Sequence, residues 1–547
     1  VFSIWAQVSK KKDIRHQLMD NSIYLRNQIY LSFKNLLSMK KALVTLFLNM
    51  FSLFMSAQSI NFEQYFLDEG SLRMDVFQCG NSEGSHYVFD RFVIEPYFGG
   101  SKVNLIDPFN YGTNRVKVID AQTNTLLYSR GYNTLFREWQ TTDEAREMER
   151  CYEESVSVPL PRNEVYVILE IRNFDGEFEE VFSKLYEPDE MFNTTEQRYV
   201  FPVQDIMVNG APDSKVDIVI LPEGYTAEEM PQFFQDCQNL ANVFAQAEPF
   251  SSHINDFNFR AVLAPSEESG VDIPASHIWK RTILNSHFYT FYIDRYCTTR
   301  SYFSVKDVAA NAPYDQIYIL VNSSQYGGGG FYNFYSMSTA GNMSTSDVIV
   351  HEFGHAFAGL ADEYEEPDNP LALLYNLNVE PWEPNITTLV DFESKWADLV
   401  APGTPIPTPD NYQYNNTVGA FEGGGYLSHG MYRPQRNCMM RNYAPFCAVC
   451  NRTIEAVINA HSDNPVTVKS DYLQPEPLLR VCPNPATDFI DVFVNQVDGQ
   501  AEIVDINGKT VMTVQLNNEV NRVVVSELPK GLYVLRANGE TRKFVKQ

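Results

Sequence analysis

Val350-His351-Glu352-Phe353-Gly354-His355-Ala356-Phe357-Ala358-Gly359-Leu360-Ala361-Asp362 decides the fold of the middle of this chain. Ile349, Phe353 and Phe357 recur every fourth position, which predicts a helix with one buried apolar face. On such a helix His351 and His355 stand one turn apart on the same side. Two imidazoles so placed can bind one Zn²⁺, and the Glu352 carboxylate between them suits a general base acting on water. Gly359 supplies the left-handed residue that ends a helix and turns the chain back. Asp362 then returns towards the histidines as the expected third ligand, with Glu363 and the distant His429 as competitors. Ser344 to Asp347 offers N-cap residues at the other end.

Upstream, Val216-Asp217-Ile218-Val219-Ile220-Leu221 predicts a buried strand. Thr226-Ala227-Glu228-Glu229 is a capping box that opens a helix running to about Ala247. Phe257 to Leu263 and Ile317 to Val321 predict two more strands, so strands and helices alternate in an α/β layer. The run Gly327-Gly328-Gly329-Gly330 lacks the Lys-Ser/Thr of a phosphate loop. It predicts a flexible turn before an aromatic edge strand, Phe331 to Met337, whose free edge suits an extended peptide. Residues 367 to 434 are rich in Pro, Asn and Gly and predict irregular surface chain, and Val449 to Ala460 predicts a closing helix.

The flanks read differently. Residues 58 to about 205 are short β-runs, such as Val116-Lys117-Val118-Ile119 and Val165 to Ile171, and predict an all-β sandwich without a catalytic cluster. From about residue 471 a third, β-rich unit follows. At 547 residues the chain exceeds a single core, and about three or four domains are expected. The fold class is multidomain α+β.

The chain is 44% hydrophobic, 13% aromatic and carries a formal charge of −27. That acidity argues against nucleic acid or anionic lipid as a partner. Met39-Lys40-Lys41, the apolar run from Ala42 to Phe54, and Ser56-Ala57 form the n-region, h-region and cleavage site of a signal peptide. Met39 is the expected start, residues 1–38 an upstream non-native extension, and cleavage is expected after Ala57. A cytoplasmic extension ending in an anchor is the alternative, disfavoured by the short apolar run. Removing residues 1–57 takes away eight Lys/Arg and two Asp, leaving −33. No later stretch is long and apolar enough to span a membrane.

Eight cysteines in an exported chain can pair. Cys79 and Cys151 share the first unit, Cys237 and Cys297 the second, and Cys438, Cys447 and Cys450 cluster beyond the histidines. Connectivity is open. Cys447-x-x-Cys450 lacks the second pair that a cysteine zinc site ordinarily needs.

These parts predict metal-assisted hydrolysis of a peptide bond, with Glu352 taking the proton of an activated water as general base and then delivering it to the leaving amine. Tyr443, Tyr432 and Arg441 are candidates for stabilising the oxyanion, Tyr443 foremost. Two other readings stand beside it. One is a surface adhesin or binding protein with a structural or inactive metal site; the other is a zinc amidase acting on another amide. An adhesin has no use for Glu352.

The helix motif, with Cys438-Met439-Met440 as a methionine turn, resembles the metzincin pattern. Gly359 and Asp362 each fall one residue later than that pattern's spacing. The longer motif, the Asp362-Glu363-Tyr364 that ends it and the Val216 to Tyr225 segment resemble the IgA peptidase family of zinc metallopeptidases. The resemblance implies a secreted zinc metalloendopeptidase whose catalytic domain is metzincin-like. It also names immunoglobulin A or other host glycoproteins as candidate substrates. Cys482-Pro483-Asn484-Pro485-Ala486-Thr487-Asp488, Gly531 to Arg536 and Lys543 to Lys546 resemble the C-terminal sorting domain of type IX secretion. That implies a small β-sandwich, an encounter with outer-membrane secretion machinery, and release or surface attachment on a Gram-negative bacterium. The expected organisation is a signal peptide at 39–57, an N-terminal β-sandwich at 58–205, a zinc peptidase domain at 206–470 and a sorting β-sandwich at 471–547.

Overall fold

The computed structural model describes residues 60–468, 479–494 and 499–547. The expected extension and signal peptide, and the Pro475-Glu476-Pro477 stretch through which the third unit is expected to begin, lie outside the described residues. Among those described, no helix is long and apolar enough to cross a membrane.

Seven strands open the fold: β1 (Phe66–Asn81), β2 (Gly84–Glu95), β3 (Asn114–Asp120), β4 (Leu126–Tyr132), β5 (Arg150–Pro161), β6 (Val165–Arg172) and β7 (Phe178–Tyr186). They form two antiparallel sheets, ordered β2-β1-β5 and β4-β3-β6-β7. Cys79 faces Cys151 across the β1–β5 register, and the two form a disulfide. Two short helices between β4 and β5, Leu135–Trp139 and Asp143–Glu147, leave the sheets. The first carries Leu135, Phe136 and Trp139 into a core that belongs mainly to the next unit.

That unit is built on a six-stranded mixed sheet. Its strands are β8 (Val203–Met207), β9 (Val216–Glu223), β10 (Phe257–Val262), β11 (Gln316–Val321), β12 (Gly328–Phe331) and β13 (Tyr335–Thr339), in the order β12-β13-β11-β9-β10-β8. β8 crosses residue 205 and pairs within this sheet. The four inner strands run parallel and β12 and β8 are antiparallel edges. β9 is buried at every residue, as a parallel strand covered on both faces must be. Its Val216, Ile218 and Ile220 pack with α1 (Met230–Phe244), α3 (Thr345–Ala358) and α4 (Ala448–Ala460). Its Val219 and Leu221 pack on the other side with α2 (Tyr302–Ala309). The Thr226–Glu229 capping box is present and leads through a 3₁₀ turn into α1. Residues 367–434 are largely 3₁₀ turns and loops, but they also contain an antiparallel hairpin, β14 (Phe421–Gly424) with β15 (Leu427–Arg433).

The glycine run departs from its expectation. Gly328 to Phe331 is itself the edge strand, and Phe331 to Met337 is the turn and the strand beneath it. The cause is close approach rather than flexibility. A Cβ on Gly330 would meet the Glu352 carbonyl oxygen at 2.2 Å, and one on Gly328 would meet Glu352 Cγ at 3.0 Å. Only glycine lets this strand lie against α3.

The last unit has β16 (Leu479–Cys482), β17 (Phe489–Val494), β18 (Gly499–Val504), β19 (Thr510–Leu516), β20 (Val520–Val524), β21 (Gly531–Ala537) and β22 (Glu540–Lys546). Two antiparallel sheets, β16-β17-β20 and β19-β18-β21-β22, share one core through residues such as Ile490, Ile503, Leu535 and Phe544. Cys482 and Phe493 also pack against Ile119, Tyr166 and Ile168 of the first unit.

Candidate metal centre

α3 places the histidines as its sequence predicts. Ile349, Phe353 and Phe357 are buried in the main core, and Phe353 stacks on Phe357 at 5.0 Å between ring centres. This anchored face points His351 and His355 the other way, into a cleft of about 500 Å³. Gly359 caps the helix at φ 62°, its N–H donating to the His355 carbonyl at 3.1 Å while Leu360 N–H donates to Gly354 O at 3.3 Å. The left-handed residue reverses the chain and brings Asp362 back under the helix end.

The geometry at the turn is tight. The two Nε2 atoms are 3.2 Å apart. Asp362 Oδ1 lies 3.2 Å from His351 Nε2 and 3.4 Å from His355 Nε2. Each Nδ1 has its own acceptor: His351 donates to Met439 O at 3.1 Å and His355 to Leu360 O at 2.6 Å. With the protons on Nδ1, both Nε2 atoms present lone pairs to each other and to a carboxylate. Asp362 Oδ1 is buried without a hydrogen-bond partner. Three facing lone-pair donors at these separations call for a cation. Bonds of about 2.0–2.1 Å from a tetrahedral Zn²⁺ would set neighbouring ligand atoms about 3.3 Å apart.

Electrostatics points the same way. Burial disfavours a charged imidazole at His355, but the Asp362 carboxylate, Glu352 and the Leu360 carbonyl outweigh it and raise His355 to about 9. Burial opposes ionisation of Asp362 as well, yet the two histidines hold it well below the usual carboxylate range. The cluster therefore favours positive charge between the two imidazoles and Asp362. Burial pushes Glu352 up, against the pull of His351 and His355.

Asp362 is held from behind. Its Oδ2 accepts from Tyr426 OH at 2.6 Å, and its carbonyl accepts from Gly425 N–H at 2.8 Å. Glu363 points the opposite way, fully buried, with Oε1 accepting from Asn385 Nδ2 at 2.9 Å. His429 is 87% exposed and faces Glu422 rather than the histidines. Met440 lies buried beneath α3, so close that a Cβ on Gly354 would meet its Sδ at 2.9 Å.

Tyr443 and Arg441 line the cleft with Glu352, whereas Tyr432 sits in β15 and bonds through its backbone to Thr387. Tyr443 adopts φ 56°, bonds through its hydroxyl to Tyr326 OH, and sets its ring edge-on to His351 at 5.6 Å. Several cleft residues escaped sequence reasoning. Tyr426 sits in the glycine turn where His429 drew attention for its imidazole. Glu138, from the first unit, reaches the cleft and accepts from Tyr296 OH at 2.5 Å; burial raises it to about 7. No local pattern marks either residue.

The family model for IgA Peptidase M64 matches residues 205–413 and 410–458. The model for the Peptidase M64 N-terminus matches residues 61–183, and that for the Secretion system C-terminal sorting domain matches residues 480–547. No curated protein matches the chain.

Proposed function

Because the chain belongs to the IgA peptidase M64 family and ends in a secretion sorting domain, we propose that it is a secreted or cell-surface zinc endopeptidase that cuts extended protein segments. One observation carries this reading: two imidazole Nε2 atoms and a buried carboxylate oxygen converge within 3.4 Å, with Glu352 on the same helical turn. His351, His355 and Asp362 would hold the ion. Zinc there supplies Lewis acidity towards a scissile carbonyl and lowers the pKa of water towards about 7.

The chain's own groups do the rest. Glu352, its basicity raised by burial, takes the proton of the attacking water and hands it to the leaving amine. The Tyr443 hydroxyl, paired with Tyr326, donates to the developing oxyanion. The antiparallel edge β12 borders the same cleft; Tyr296 already bridges it at Gly328, and Gly329 and Gly330 beyond that bridge can take a peptide as an added strand. Immunoglobulin A and other host glycoproteins are candidate substrates.

Chelation is the test. Treating the full chain with a zinc chelator should abolish cleavage of an unstructured protein, and added zinc should restore it. Turnover that survives complete removal of metal would contradict the proposal. Sequencing the new termini released from immunoglobulin A and from a mixed proteome would identify the bond.

A further inference from the structure

Beneath the histidines a second set of ligand atoms converges. The Sγ atoms of Cys438, Cys447 and Cys450 and a carboxylate oxygen of Glu363 all lie within 4.8 Å of one another. All four residues are buried. We propose that they hold a second, structural Zn²⁺ that fixes the floor of the catalytic cleft.

Four observations support a metal here. First, the spacing fits. Cys438 Sγ is 3.6 Å from Cys450 Sγ, and Glu363 Oε1 is 3.4 Å from Cys450 Sγ and 3.9 Å from Cys447 Sγ. A tetrahedral ion with Zn–S bonds of about 2.3 Å separates its sulfurs by about 3.8 Å, and a sulfur from a carboxylate oxygen by about 3.5 Å. Second, a buried polar atom lacks a partner. Glu363 is fully buried beside the three thiols, and its Oε2 has no hydrogen-bond partner. Third, backbone N–H groups already point at sulfur: Cys447 N–H donates to Cys438 Sγ at 3.3 Å and Cys450 N–H to Cys447 Sγ at 3.4 Å. These are donors suited to thiolates. Fourth, three cysteines cannot all be satisfied by disulfides among themselves, whereas soft thiolates select zinc over magnesium or calcium.

Cys447-x-x-Cys450 thus finds its remaining ligands outside any paired spacing, one at Cys438 and one in the turn after α3. That placement couples the two sites. Glu363 directly follows Asp362, and its N–H donates to Met440 O at 2.8 Å. Cys438 precedes Met439, whose carbonyl accepts from His351. A metal on Glu363 and Cys438 therefore ties together the turn that presents Asp362 and the carbonyl that orients His351.

Metal counting on the full chain tests this. Wild-type protein should carry about two zinc atoms per chain, and the His351→Ala/His355→Ala double variant about one. Loading that double variant with Co²⁺ should give thiolate-to-metal charge-transfer absorption, lost in a triple variant that adds Cys450→Ala. If Cys450→Ala fails to fold, alkylation of wild-type protein in denaturant plus chelator decides: all three thiols should be free. Zinc retained by the double variant without a thiolate band would overturn the inference, as would a disulfide among Cys438, Cys447 and Cys450. A single zinc lost with the histidines would overturn it and leave the peptidase reading intact. A single zinc kept without the histidines would do the reverse.

Discussion

Asp362 and Glu363 leave one turn in opposite directions, and neighbouring carboxylates of equal chemistry cannot be told apart from sequence alone. The histidines can, because the helical period settles which face they share. Only tertiary contacts, Tyr426 on Asp362 and Asn385 on Glu363, separate the two acids. Tyr426→Phe removes the hydroxyl that orients the expected third ligand. It should weaken zinc binding about 10–100-fold, read by competition with a chelator; unchanged affinity would show that Tyr426 does not support the ligand. Glu154, which does not line the cleft, makes a pH prediction. It is 1% exposed, accepts from Tyr132 OH at 2.5 Å, and burial raises it from 4.5 to about 7. Between those values the unfolded chain releases a proton that the folded chain keeps. Stability therefore falls as pH rises through that window and then levels off. Relative to wild type, Glu154→Gln should gain stability between pH 4.5 and pH 8, by on the order of 1–3 kcal/mol. Thermal melts at the two pH values check this, and a difference that does not change with pH would contradict it.

α3 and its cap were readable because each rests on local physics: a four-residue apolar repeat, a capping glycine, and β-branched runs for β9 and β11. The edge strand was not. Glycine signals flexibility and close approach with the same letter, and only the position of α3 shows that Gly328 and Gly330 serve contact. The Gly330→Ala methyl would lie 2.2 Å from a backbone oxygen of Glu352, so strand and helix must part. The expected cost is about 1–3 kcal/mol, together with lost peptide turnover. Gly84→Ala, in open space on β2, is the control. Denaturant melts of both variants decide, and equal behaviour would argue that β12 is free to move.

In the assembled chain the first unit is more than an appendage. Leu135, Phe136 and Trp139 complete a core of the middle unit, Glu138 enters the cleft, and Asn133 N–H donates to Tyr332 O at 2.8 Å beside β12. None of this shows in the first unit's own sequence, whose β-runs carry no catalytic pattern. A chain beginning at residue 203 should accordingly lose solubility or melt at least several degrees lower, since apolar surface on the α2 side is uncovered. An equally stable truncated protein would show that the units are independent. The proposed chemistry depends most on Glu352 working as the base beside a metal that it does not ligate. Zinc content and cleavage of an unstructured protein, measured together on wild-type and Glu352→Gln protein, test it most directly. Zinc should stay unchanged in the variant, and its rate should be lower by about 10²–10⁴-fold. Full activity in the variant, or wild-type protein that binds no zinc and cuts nothing, would contradict it.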